Sequence, residues 1–146
     1  MECKEVRADM IKKKDYVFLG KKPCIVSRIM LSENTEFGEK KYVEIIGTHV
    51  FNDTYFDERF RDYMPISRFV PKEETLKLIR VVEDEFHTVD EDGNERKVPI
   101  LDKEIYNEII SYFYTDNSEM TITVTTVPVL DSDTTVSEVT SWDMED

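Results

Sequence analysis

The apolar residues of this chain fall in short runs, each cut off by turn-forming residues. Tyr16-Val17-Phe18-Leu19 stops at Gly20-Lys21-Lys22-Pro23, and Cys24 to Leu31 follows. Glycine permits positive φ and proline fixes φ, so this cluster reads as a turn and the two runs as a hairpin. Tyr42 to Phe51 is a longer strand, with a bulge expected at Gly47. Asn52-Asp53 is a turn, and Thr54 to Phe60 another strand. Between these strands, Ser32 to Lys41 is polar and reads as an exposed loop. Several short strands with no helical pattern predict a small β-barrel.

The second half repeats this habit. Thr75 to Val82, Glu85 to Val89, and Glu95 to Ile100 read as strands, the last two joined by an Asp92-Gly93 turn. One helix is predicted from Asp102, a good N-cap, to about Tyr114. Its apolar stripe is Ile105, Ile109 and Tyr112 or Phe113. Met120 to Thr125 alternates at period two, and Thr134 to Thr140 alternates weakly. Strands with a single helix before the last of them suit an OB-like barrel. The expected organisation is all-β: a barrel over residues 1–68, an OB-fold domain over 69–140 and an acidic, mobile tail over 141–146. Residues 1–15 read as a polar lead-in. Met64 to Pro71, with two prolines, reads as a short, stiff junction between the halves.

Charge is unevenly placed. The net charge is -13, yet residues 1–68 hold 13 Lys and Arg against 12 Asp and Glu, while 69–146 hold 6 against 20. The first half can therefore still meet a polyanion. Its candidates are Lys21, Lys22, Arg28, Lys40 and Lys41, with Lys12, Lys13 and Lys14 beside them, although lysine runs most often just solvate a surface. No apolar run nears the roughly 20 residues that span a bilayer. The N-terminus lacks a signal-peptide h-region. Cys3 and Cys24 show neither metal-ligand spacing nor a disulfide pattern. A cytoplasmic protein without membrane contact is expected.

Catalysis finds no footing. His49 and His87 fall one in each half, both on strand patterns. No phosphate loop, HExxH, CxxC or GxSxG motif occurs. An enzyme is not expected, and neither a metal, a cofactor nor a small-molecule substrate is implied. Two barrels without a catalytic cluster point to a binding role.

Lys13 to Val26, with its apolar strand, basic turn and Pro23-Cys24, resembles the opening hairpin of the eukaryotic translation initiation factor 5A family. Val43 to Phe51 resembles the strand after that family's functional loop. Leu76 to Ile79 is similar to the entry into its OB domain, Asp92 to Arg96 to its hairpin, and Val98-Pro99 to its strand before the helix. The order and spacing hold from about residue 7 to residue 127. The resemblance implies an N-terminal SH3-like barrel and a C-terminal OB-fold. It implies a partner as well: the ribosome beside the peptidyl and exit sites, including rRNA, P-site tRNA and ribosomal proteins. There the family's loop lysine, converted to hypusine, reaches the tRNA acceptor end and aids elongation and termination.

The chain departs from the family at that loop. Gly38 matches the last glycine of the family's Gly-Lys-His-Gly, Phe37 the histidine and Glu36 the lysine. The loop tip is thus Asn34, Thr35, Glu36, Phe37 and Gly38, without a lysine. Lys40 and Lys41 lie past Gly38, and modification of one of them is the alternative. The implied function is a ribosome-binding factor that modulates elongation or termination. Two alternatives stand: an unmodified paralogue that inhibits or stabilises idle ribosomes, and an acidic interaction module for a protein partner.

Overall fold

A computed structural model describes residues 2–34, 40–114 and 119–145. Among them the chain is built from strands, with one α-helix and one short 3-10 turn. The expected all-β class is what the structure shows. The chain divides into two compact units, residues 1–71 with 127–135, and residues 72–126 with 136–146.

The first unit holds strands β1 (Cys3–Arg7), β2 (Tyr16–Leu19), β3 (Lys22–Asn34), β4 (Lys40–His49), β5 (Tyr55–Arg61) and β6 (Pro65–Phe69). Their order in the sheet is β1-β6-β2-β3-β4-β5. Side chains alternate across each strand. Val17, Leu19, Cys24, Val26, Val43 and Ile45 share the buried face, joined by Ala8, Ile11 and Ile66. A smaller cluster gathers Phe18, Phe69 and Val127, with Tyr16 and Leu130 packed against it.

Three expectations for this unit are corrected. Residues 1–15 are not a bare lead-in, because Cys3 to Arg7 pair with Phe69 to Pro65 and Ala8 and Ile11 enter the core. Met64 to Pro71 is more than a junction: β6 lies between β1 and β2, with Pro65 at its first residue, where the missing N–H is tolerated. The bulge is not on Gly47 but opposite it. Val26 pairs with Gly47 and Arg28 with Ile46, leaving Ser27 as the extra residue, its hydroxyl donating to the Ile46 carbonyl at 3.1 Å.

The second unit is a five-stranded sheet ordered β11-β10-β7-β8-β9. Its strands are β7 (Lys72–Val82), β8 (Glu85–Val89), β9 (Glu95–Pro99), β10 (Glu119–Pro128) and β11 (Thr135–Glu145). The β8–β9 turn has Gly93 at φ +82, and the Asp90 carboxylate accepts from the backbone N–H groups of Asp92 and Asn94. Helix α1 (Lys103–Phe113) begins at Asp102, whose carboxylate accepts from the N–H groups of Glu104 and Ile105. Ile109 is fully buried on its inner face, in a core with Leu76, Phe86, Met120 and Ile122. Residues 141–145, expected as a tail, are the end of β11. Trp142 and Met144 pack on this core, and the Trp142 indole N–H donates to Glu108 at 3.0 Å.

Candidate functional site

The expected loop, Ser32 to Lys41, falls where β3 gives way to β4 in the sequence. The ladder runs from Cys24 opposite His49 to Asn34 opposite Lys40. So Ser32 to Asn34, and Lys40 with Lys41, are strand rather than loop. Thr35, Glu36, Phe37 and Gly38, with residue 39, lie outside the described residues. Asn34 is the last described residue of β3. Lys40 and Lys41 open β4, opposite Asn34 and Glu33, and are exposed. Strand β5 pairs with β4 only as far as Tyr42 opposite Arg61. Beyond it, the Asp62 N–H still donates to the Lys41 carbonyl at 3.1 Å.

The five cations singled out in the sequence are not one patch. Lys21 sits at φ +65 in the β2–β3 turn, and Lys22 is the first residue of β3. Lys40 and Lys41 flank the far end of that strand. At about 3.3 Å per residue the two pairs stand up to about 40 Å apart. Arg28 lies between them, exposed, opposite Ile46. Strand parity separates Lys40 and Lys41 as well. Lys40 shares the outer face with Tyr42 and Glu44, while Lys41 falls on the side of Val43 and Ile45.

The outer face holds residues that the sequence reading missed. Tyr42 pairs with Arg61 and Glu44 with Arg59. The Arg59 guanidinium lies 5.2 Å from the centre of the Tyr42 ring; that of Arg61 lies 5.3 Å from Tyr42 and 5.4 Å from Tyr63. The signal was there as Arg59-x-Arg61-x-Tyr63 at period two, hidden because a base every second residue also suits a solvated edge strand.

Each histidine has a polar neighbour. The Nδ1 atom of His49 accepts from the Phe51 N–H at 3.1 Å. Burial, and then the nearby Lys22 charge, hold its pKa below the ordinary value. His87 lies 3.6 Å from Glu85. Burial pushes the Cys24 thiol up in pKa, while Cys3 is exposed. Among the described residues no group of His, Cys, Asp and Glu could hold a metal ion, and no helix is long and apolar enough to cross a membrane.

No family profile matches the sequence, and no curated protein matches it. Solved structures do. A translation initiation factor eIF-5A family protein from Naegleria fowleri superposes with a TM-score of 0.79 at 18% identity, over 97% of this chain and 99% of that one. The eukaryotic translation initiation factor 5A from Methanococcus jannaschii gives 0.60 at 13% identity, over 96% and 97%. The chain has the factor 5A fold. Near-complete coverage on both sides means that both units, in their order, belong to that fold. The β3–β4 hairpin is therefore read within a factor 5A fold.

Proposed function

We propose that this protein is a ribosome-binding translation factor that docks beside the peptidyl and exit sites and modulates elongation or termination. The observation that supports it most is the match of the whole chain, both units in order, to solved factor 5A structures. Fold alone does not assign function. The basic surplus of the first half, in an otherwise acidic chain, adds to the reading, because an rRNA contact needs cations. The protein works by binding, in the cytoplasm, and not as an enzyme.

Glu36 favours a second reading within the same class. At about 4 Å, two unit charges interact by about 1 kcal/mol in water and about 4 kcal/mol at an effective dielectric of 20. Exchanging a loop cation for Glu36 reverses the sign of that interaction with an acceptor-end phosphate. A protein docked in this way occupies the site without drawing the tRNA into position, and so inhibits or stabilises an idle ribosome. Lys40 and Lys41 stand in the β4 ladder opposite Asn34 and Glu33, which supports reading Glu36, and neither of them, at the place of the family's lysine.

A polyproline reporter translated in an extract depleted of its own factor 5A tests both readings. Rescue by the unmodified protein supports stimulation; a fall in yield supports inhibition. An unchanged yield at saturating protein contradicts both.

A further inference from the structure

We propose that the outer face of β4 and β5 is a docking surface for single-stranded RNA, with Tyr42, Arg59, Arg61 and Tyr63 as its centre. The inference rests on the ribosome reading for its biological setting, but its chemistry is measurable without a ribosome.

The four side chains alternate as Arg59, Tyr42, Arg61 and Tyr63, with each guanidinium 5.2 to 5.4 Å from a ring centre. Such spacing is cation–π stacking. It fixes the planar forks at a low entropic cost, because the rings and the strand already limit their freedom.

These arginines differ from the three that are ion-paired. The chain holds 32 Asp and Glu against 19 Lys and Arg. Arg7 pairs with Asp9 at 3.1 Å, Arg68 with Asp15 at 3.7 Å, and Arg96 with Glu74. Among the described residues, Arg59 and Arg61 have no carboxylate partner. The Arg61 Nε is moreover buried without a hydrogen-bond partner. Rings, rather than ion pairs, hold these two guanidiniums, with Glu44 as the cross-strand neighbour of Arg59.

The charge of the face selects the occupant. Register places Arg28, Lys40, Arg59 and Arg61 on it against Glu44 and Asp57, a positive balance in a chain of net charge -13. Phosphate answers the forks, and bases answer the rings, since Tyr63 is 56% and Tyr55 63% exposed. A single strand offers both, whereas duplex bases are already stacked and turned inward. An acidic peptide would answer the charge but not the rings.

Fluorescence anisotropy of the full-length protein with a labelled oligouridine of about ten nucleotides tests this. Arg59→Gln with Arg61→Gln should weaken binding about tenfold, and the charge-matched Arg7→Gln with Arg96→Gln less than about twofold. If the first pair disturbs folding, Tyr63→Leu at an exposed position should still weaken binding about fivefold with an unchanged melting curve. No binding by the wild type, equal losses in the two double variants, an indifferent Tyr63→Leu, or equally tight binding of a polyglutamate peptide overturns the proposal. A wild-type protein that binds ribosomes but not the oligouridine counts against this inference alone; one that binds the oligouridine but not ribosomes counts against the ribosome reading alone.

Discussion

A single missing atom governs the first sheet. At Gly47 a Cβ would stand 2.7 Å from the Ile25 carbonyl oxygen and 3.0 Å from the Leu19 side chain. Backbone cannot yield as a flexible side chain can, so Gly47→Ala should destabilise the first unit by about 2–3 kcal/mol, read as a lower urea midpoint. This is the residue the sequence marked, and it marked the right place on the wrong strand: the glycine permits close approach, and the bulge it faces lies on β3. His49 gives a second test at this scale. Its folded pKa lies below the unfolded value near 6.5, so the unfolded state binds more protons in the window below pH 6.5. Stability is full above that window and is lost as pH falls through the folded pKa. Protonating Nδ1 would also remove the acceptor of the Phe51 N–H. His49→Gln should flatten the loss of stability between about pH 7 and pH 5, measured by chemical denaturation at each pH.

At the scale of elements, strands whose own residues declare them were legible. Hairpin β2–β3 was written in Gly20-Lys21-Lys22-Pro23, and α1 in the Asp102 cap and the Ile105 and Ile109 stripe. Strands made by their neighbours were not. Cys3-Lys4-Glu5-Val6-Arg7 is charged and mostly exposed, and it is extended because β6 pairs with it. Pro65 argued against a strand in β6, yet a proline at the first position removes no ladder bond. The end of β11 reads as an acidic tail until Trp142 is placed against α1, stacked 5.1 Å from Tyr112. The candidate site was legible only in part: the hairpin was foreseen, but Tyr42, Arg59, Arg61 and Tyr63 became a group only through register. Removing the residues after Thr140 should lower stability by about 2–3 kcal/mol, because it takes away the packing and hydrogen bond of Trp142. A true tail would leave the denaturation curve unmoved.

For the molecule as a whole, the fold is that of factor 5A, and the proposed work is done by surfaces. Charge is what the whole chain brings to an RNA partner. The net is -13, so contact with RNA must run through local clusters of cations, and salt should weaken it steeply. A surface of this kind is engaged on a ribosome or left idle, and pelleting distinguishes the two most directly. The natively purified protein should co-sediment with ribosomes through a sucrose cushion at low salt and be released progressively as salt rises. Protein that stays wholly in the supernatant at low salt, with ribosomes intact in the pellet, would contradict a ribosome-binding role.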